Sequence, residues 1–131
     1  MKNIKSIFNK HRDKPLIKMS IKLKQYYMEE ITKFSIALNH NDFKNAWHHL
    51  ERAHILGQRY LLPHLYIHFQ MLKLACREKR IPEIIGQALR LGMVFPGFLS
   101  GKTPIGNPGT TRVALTAIMP IPKDLLQKLD D

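Results

Sequence analysis

Apolar residues recur every three or four positions through most of the first two thirds of the chain. This spacing is typical of amphipathic helices, which bury one face and expose the other. It predicts four helices, which run from Ile17 or Ser20 to Leu38 and over residues 43–56, 62–79 and 82–91. A short terminal helix is predicted over residues 123–129, with leucines that can dock on the others. The predicted fold class is therefore all-α, a small bundle of about four helices.

Glycine and proline interrupt this pattern beyond the fourth predicted helix. They are concentrated between Met93 and Thr111, where no helical period can be followed. We therefore expect an irregular segment, rich in glycine and proline, that wraps around the bundle on its C-terminal side. Gly86 stands inside the fourth predicted helix, where it costs about 1 kcal/mol relative to alanine. We expect it to permit the close approach of another helix.

Histidine is the residue type that breaks the apolar pattern. Five of the seven histidines lie between Asn45 and Cys76. Three of these occupy positions where the helical pattern favours an apolar residue. His54 lies within the apolar arc of the second predicted helix. His64 and His68, four residues apart, lie on one face of the third.

A short connection joins the second and third predicted helices. Gly57 suits the end of the second helix and Pro63 suits the first turn of the third. Because the connection is short, the two helices should pack antiparallel. The three histidines stand close to the bend on either side, so we expect their imidazoles to meet at an apolar interface. Glu51, three residues before His54, lies at the flank of this group.

A cluster of His54, His64 and His68 suits a divalent transition metal such as zinc. Neutral imidazole is a common protein ligand for such ions, and a shell of three histidines with an open fourth position is a known type of site. Glu51 is a candidate for completing this shell or for orienting one of the histidines. Apart from this cluster we find no arrangement of nucleophile and base, so the sequence predicts no particular enzymatic activity.

The same histidines also admit a structural interpretation. A histidine on an apolar face is often neutral and hydrogen-bonded to a polar neighbour, and the sequence offers four such partners: Glu51, Gln58, Tyr60 and Gln87. On this alternative hypothesis the protein is a helical protein-interaction module without a cofactor. Its histidines would form a hydrogen-bond network that fixes the pairing of the helices.

Positive charge is concentrated at the N-terminus. The chain has 131 residues and a formal net charge of +11, and residues 1–24 contain eight basic side chains against the single acidic residue Asp13. We interpret residues 1–16 as a basic flexible tail and residues 17–131 as one helical domain. Such a tail could contact nucleic acid or an anionic membrane surface. A solvated arm that keeps the protein soluble is the simpler interpretation.

Composition limits the compartment and the class of protein. A hydrophobic content of 44% suits a globular domain, and a single cysteine excludes a disulfide framework and fits a reducing compartment. The chain contains no uncharged apolar run of about 20 residues that could span a membrane. The lysine-rich start lacks the continuous apolar stretch of a signal peptide. We therefore expect a cytoplasmic protein.

Two resemblances extend these expectations. The hairpin from Tyr27 to Leu56 resembles a tetratricopeptide unit, because Ala46 and Ala53 match the small residues in the second helix of that repeat. A solenoid needs about three stacked repeats for stability, and one unit is visible here. The resemblance therefore describes how two helices pack rather than a repeat protein.

Several separated motifs form a second and broader pattern. They are Leu50-Glu51-Arg52-Ala53-His54-Ile55-Leu56-Gly57-Gln58, Pro63-His64, His68, Gly86-Gln87, Pro104, Gly106-Asn107-Pro108-Gly109 and Met119-Pro120-Ile121-Pro122-Lys123-Asp124-Leu125. Together they resemble a family of small bacterial proteins that is catalogued only as a domain of unknown function. The match covers roughly Tyr26 to Leu129 and leaves the basic tail outside. The resemblance implies a bacterial cytoplasmic setting, and it brings no known activity or ligand.

Overall fold

The structure, a computed structural model, describes residues 18–101 and 103–131. The predicted basic tail, residues 1–16, lies outside the described residues. The described part is all-α and contains no strand. Its helices are α1 (Ile21–Asn39), α2 (Phe43–Gly57), α3 (Leu61–Arg77), α4 (Ile81–Ser100) and α5 (Lys123–Asp130).

Side-chain caps fix the beginnings of the first two helices. The hydroxyl oxygen of Ser20 accepts a hydrogen bond from the backbone N–H of Leu23 at 3.1 Å. The carboxylate of Asp42 accepts one from the backbone N–H of Asn45 at 3.2 Å. Each cap satisfies one of the N–H groups that a first helical turn leaves without a partner. Both positions agree with the helix starts that the sequence favours.

The apolar core lies where α1, α2 and α3 meet. The helix α1 packs against α2, and α3 packs against both α2 and α4. The largest fully buried apolar side chains are Leu50, Leu56, Ile67, Met71 and Leu125. The last of these belongs to α5, so the terminal helix docks through a leucine as expected. Burial of a leucine of this kind contributes roughly 2 kcal/mol, and two further leucines of this eight-residue helix, Leu126 and Leu129, also pack against the core.

The fourth helix is longer than the sequence pattern predicts. We expected it to end near residue 91, but α4 continues through Gly92 and Pro96 to Ser100. Gly92 is exposed, so water can satisfy the carbonyl group that a proline four residues later leaves without its helical partner. Val94 is 3% exposed and gives this extension a buried contact. Gly101 then ends the helix in the left-handed conformation, with φ of 66°.

Residues 103–122, the wrapping segment, form an irregular connection of turns between α4 and α5. Its polar backbone is satisfied internally, because the side-chain amide of Asn107 donates to the carbonyl oxygens of Ala114 and Ala117, both at 2.9 Å. Gly86 permits the close approach of this segment and not of another helix. A β-carbon at Gly86 would lie 2.1 Å from the side-chain methyl of Thr111.

Large apolar side chains also remain exposed on α3 and α4. They are Leu62, Tyr66 and Phe69 on α3 and Ile81, Ile85 and Leu89 on α4, and we call this set the apolar face. In the described part of the chain, no helix combines the length and the apolar character needed to cross a membrane.

Candidate metal centre

Three histidine rings, one from α2 and two from α3, direct their Nε2 atoms towards one another. The Nε2 atoms of His54 and His64 are 3.0 Å apart, those of His54 and His68 are 3.1 Å apart, and those of His64 and His68 are 3.0 Å apart. The three nitrogens therefore form a nearly equilateral triangle. We call these residues the histidine triad. Among the described residues, they form the group of histidine, cysteine and acidic side chains that is close enough to hold a metal ion.

The bend between α2 and α3 brings the triad together. His54 lies in the last turn of α2, and His64 and His68 lie on successive turns of α3. The bend is fastened by α1, because the hydroxyl group of Tyr27 donates to the carbonyl oxygen of Pro63 at 3.0 Å. The expected convergence of the three imidazoles is thus confirmed. Their role as metal ligands stays a prediction.

The backbone fixes the protonation of His54. Its Nδ1 atom lies 2.7 Å from the carbonyl oxygen of Asn107. A carbonyl oxygen can only accept, so Nδ1 must carry the proton. In a neutral imidazole, Nε2 is then unprotonated and turns its lone pair towards the other two rings.

A second series of hydrogen bonds determines which ring nitrogen of His68 carries the proton. The side-chain nitrogen of Gln87 donates to the carboxylate of Glu83 at 2.7 Å and to the carbonyl oxygen of Gly109 at 2.9 Å. Both partners accept, so the amide oxygen of Gln87 must face His68, whose Nδ1 lies 2.7 Å away. The Nδ1 of His68 is therefore the donor, and its Nε2 also presents a lone pair. Of the four polar partners suggested by the sequence, Gln87 takes this role.

Burial keeps the triad neutral. Loss of solvent, followed by the proximity of His68, lowers the pKa of His64 to about 3. Burial lowers the pKa of His68 to about 4, although its hydrogen bond to Gln87 acts in the opposite direction. Burial and the two neighbouring histidines hold the pKa of His54 well below its usual value. At neutral pH the three rings are therefore uncharged, as metal ligands must be.

Residues of the wrapping segment support the triad, and sequence reasoning did not assign them this role. Gly109 has φ of 83°, and a β-carbon there would lie 2.5 Å from Cδ2 of His54. Asn107 accepts from His54 through its backbone and receives the N–H of Gly109 on its side-chain oxygen at 2.9 Å. The close spacing of glycine and asparagine does signal a turn with unusual backbone angles. Nothing local indicates that this turn packs against a helix 53 residues away.

Glu51, the fourth predicted site residue, is not brought into the triad. Its carboxylate accepts two hydrogen bonds from the guanidinium of Arg112, both at 2.8 Å, and one from the hydroxyl group of Thr110 at 2.7 Å. These bonds tie α2 to the wrapping segment close to the residues that contact His54. The observed contacts of Glu51 therefore position the segment and do not reach the imidazoles.

A cavity of about 150 Å³ lies beside the triad. All three imidazoles line it, together with apolar side chains that include Met93, Val94 and Leu115. Its polar lining includes Gln58 and Arg90. The Nδ1 atoms of His54 and His68 are therefore held by Asn107 and Gln87, whereas another side of the triad borders the cavity.

Comparison with known proteins assigns the chain to a family, but it identifies no activity. A family model described as "Protein of unknown function (DUF3703)" matches residues 21–129, which include every residue of the site. No curated protein matches the chain, and no solved structure matches it.

Proposed function

Because the chain belongs to the DUF3703 family of proteins of unknown function, we propose its function from the chemistry of the site. The protein binds a divalent transition metal ion through the Nε2 atoms of His54, His64 and His68. One coordination position remains open towards the adjacent cavity. The observation that carries the proposal is the triangle of three imidazole nitrogens, from buried His54 and His68 and half-buried His64, each 3.0–3.1 Å from the others.

The size of the triangle supports a first-row transition metal. Nitrogen ligands of a tetrahedral zinc ion, with bonds of about 2.0–2.1 Å, stand about 3.3 Å apart. The spacing of the triad is within a few tenths of an ångström of that value. The ligand set points the same way, since imidazole suits zinc, copper and nickel, whereas magnesium and calcium prefer oxygen.

Proton positions favour a metal over a network of hydrogen bonds. His54 and His68 each use their single N–H at Nδ1, so their Nε2 lone pairs face each other at 3.1 Å with no proton between them. His64 can supply at most one N–H to the triangle. Protonation of a second ring is opposed by the lowered pKa values. A cation that accepts all three lone pairs removes this repulsion.

The hydrogen bonds behind the triad are those that metal-binding histidines require. Each ligating imidazole commonly donates its other N–H to a carbonyl or carboxylate oxygen, which fixes its tautomer and its orientation. Asn107 supplies this partner for His54. Gln87, itself held by Glu83, supplies it for His68. Two of the three ligands are therefore oriented before a metal arrives, which lowers the cost of binding.

Metal content and stability test the proposal. Protein purified without a metal-affinity tag should contain close to one equivalent of transition metal by elemental analysis. After removal of the metal, zinc at 100 times its dissociation constant should raise the free energy of unfolding by about 2.7 kcal/mol. The cobalt(II) form should show the visible absorption bands of a tetrahedral nitrogen site.

A matched pair of variants makes the test specific. His64→Ala should abolish the stabilisation by zinc, whereas His48→Ala, which removes an exposed histidine of α2, should keep it. Glu51→Gln should change the affinity for zinc by less than about tenfold, because its observed contacts hold the wrapping segment and not the triad. Equal responses to zinc in wild type and His64→Ala would show that the triad is not the metal site.

The alternative, a protein-interaction module, has one observation in its favour. The apolar face of α3 and α4 leaves six large side chains in solvent, with exposures from 44% for Tyr66 to 75% for Leu62. Contiguous exposed apolar surface often marks an interface. Light scattering on wild type and on Leu89→Lys tests this candidate, since a self-association that the charged residue abolishes would support it. The result is independent of metal binding.

A further inference from the structure

Gln58 is a buried polar residue of the cavity whose side chain has no hydrogen-bond partner among residues 18–101 and 103–131. It follows His54 by one helical turn and is 3% exposed. Within the described part of the chain, neither its side-chain oxygen nor its side-chain nitrogen has a hydrogen-bond partner. A buried polar group left in this state costs about 1–3 kcal/mol, and such groups are rare in native proteins. The amide therefore points to a partner outside the described residues, and a ligand in the adjacent cavity would be such a partner.

The charge of the metal-loaded cavity indicates that this partner is an anion. Three neutral imidazoles leave both charges of a divalent ion uncompensated. Among the described residues that line the cavity, Arg90 is the one with a permanent charge, and none has a carboxylate. The guanidinium of Arg90 donates to backbone carbonyl oxygens of Thr110 and Val113, and its Nε atom has no partner among the described residues. Buried charge of one sign is costly unless a counter-ion accompanies it.

A carboxylate lies close enough to be considered as that counter-ion. It belongs to Glu83, which is 2% exposed: burial lowers the pKa of Arg90, and Glu83 acts in the opposite direction. Its oxygens accept from the side-chain nitrogen of Gln87 and from the hydroxyl group of Thr111. Glu83, which is hydrogen-bonded to Gln87, therefore offsets the single charge of Arg90. The charge of the metal ion is left for a bound ligand to offset, and an anionic ligand would offset at least one of its two charges.

The size of the cavity and the residues that line it restrict the chemical class of the ligand. A cavity of about 150 Å³ holds a molecule of about six non-hydrogen atoms, such as benzene. The walls beyond Gln58 are largely apolar, with Met93, Val94 and Leu115. Phosphate and sulfate are polar on every side, so they would leave the apolar part of this lining without a matching group, although Thr103 and Thr116 add two hydroxyl donors to it. A short aliphatic carboxylate can accept a hydrogen bond from the side-chain N–H of Gln58 and place its hydrocarbon end against the apolar walls.

We propose that the metal-loaded cavity binds a small monocarboxylate of about two to four carbon atoms. One carboxylate oxygen occupies the open position of the metal and the other accepts a hydrogen bond from the side-chain N–H of Gln58. The aliphatic end packs against Val94 and Leu115. This inference rests on the metal site proposed above.

Cobalt(II)-loaded protein provides a direct readout. Acetate, propionate and butyrate are titrated into it while the visible absorption bands of the metal are recorded. All three should shift the bands, and the affinity should rise about fourfold with each methylene group, which corresponds to about 0.8 kcal/mol. Butan-1-ol, a neutral probe of similar length, should leave the bands unchanged at the same concentrations.

The variant Gln58→Leu separates this inference from the metal proposal. It should retain the cobalt spectrum and the stability of wild type, because it replaces an unsatisfied amide by an apolar group of similar shape. Its affinity for propionate should fall at least tenfold, while Gln127→Leu, a change on the exposed side of α5, should bind propionate normally. A cobalt spectrum that no carboxylate shifts, or an unchanged affinity in Gln58→Leu, would overturn the inference and leave the metal site standing. Failure to bind cobalt at all would overturn both.

Discussion

The backbone of Gly109 lies directly against the imidazole of His54. A β-carbon at this position would come within 2.5 Å of Cδ2 and 2.7 Å of Nε2 of the ring. The contact is possible because glycine has no side chain and tolerates the local φ of 83°. The wrapping segment thereby closes the back of the histidine triad, and it also supplies the carbonyl oxygens that His54 and Gln87 use.

Gly109→Ala should therefore damage both the fold and the site. We expect a loss of about 2 kcal/mol or more in the free energy of unfolding, since a side chain at positive φ is strained and this one also displaces His54. Urea unfolding and zinc titration measure the two effects. Gly92→Ala is the control, because a β-carbon there meets nothing within 4 Å. That substitution should stabilise α4 by about 0.5–1 kcal/mol. Similar losses in both variants would contradict the role of the contact.

Gln87 should be a positioning residue for His68. In Gln87→Met the Nδ1 of His68 loses its acceptor, so the ring is no longer held in the tautomer that directs Nε2 into the triangle. We expect the affinity for zinc to fall about 10-fold to 100-fold in competition with a chelator. Gln127→Leu serves as the control at an exposed position. If Gln87→Met folds and binds zinc as tightly as wild type, the hydrogen bond has no positioning role.

The metal-free protein should lose stability as the pH falls below about 6.5. Burial lowers the pKa of His64 to about 3, so the unfolded chain takes up a proton in this range and the folded chain does not. The stability associated with this residue is fully present above the unfolded pKa and decreases towards the folded one. Between pH 6.5 and pH 5, wild type should lose roughly 1.5 kcal/mol more than His64→Leu.

Urea unfolding of both proteins at several pH values measures this difference. Comparison with the variant removes the effect of carboxylates that titrate in the same range, since both chains contain them. Parallel losses of stability in the two proteins would show that His64 is not held neutral by its surroundings.

Glu30 should be a stabilising residue away from the site. It is fully buried and accepts from Nε of Arg52 at 2.9 Å and from Nδ1 of His49 at 2.8 Å. Burial alone would raise its pKa, but these two hydrogen bonds outweigh burial and lower it. Glu30→Ala should cost about 3 kcal/mol at pH 7, because Arg52 is left with Asp124 alone.

The neighbouring carboxylate gives the control for this prediction. Glu29 is 53% exposed and lies 3.7 Å from Lys128. Glu29→Ala should change the free energy of unfolding by less than about 1 kcal/mol, because an exposed ion pair contributes little. Equal effects of the two alanine variants in urea unfolding would show that burial does not distinguish them.

Some features of the fold were readable in the sequence because they depend on neighbours along the chain. The helical period placed α1, α2 and α3 within a few residues, and the expected starts, Ile17 or Ser20 for the first helix and residue 43 for the second, lie close to those observed. The end of α4 was predicted wrongly, since Gly92 and Pro96 usually terminate a helix but are tolerated on its exposed side. Cys76 lies near the end of α3 and is exposed, although cysteine is usually a buried residue type. Apolar residues occupy both the buried and the exposed side of α3, so the sequence pattern did not specify which side would face the core.

The histidine triad likewise has features that the sequence predicted and features that it did not. The sequence by itself determined that three imidazoles meet, because a short bend between two helices dictates which side chains face each other across it. Only the tertiary structure decided how they meet. Asn107, Gly109 and Gln87 come from distant parts of the chain, and they set the proton positions and the spacing of the nitrogens. These features depend on where the wrapping segment and α4 pack, and no local pattern of residues determines that.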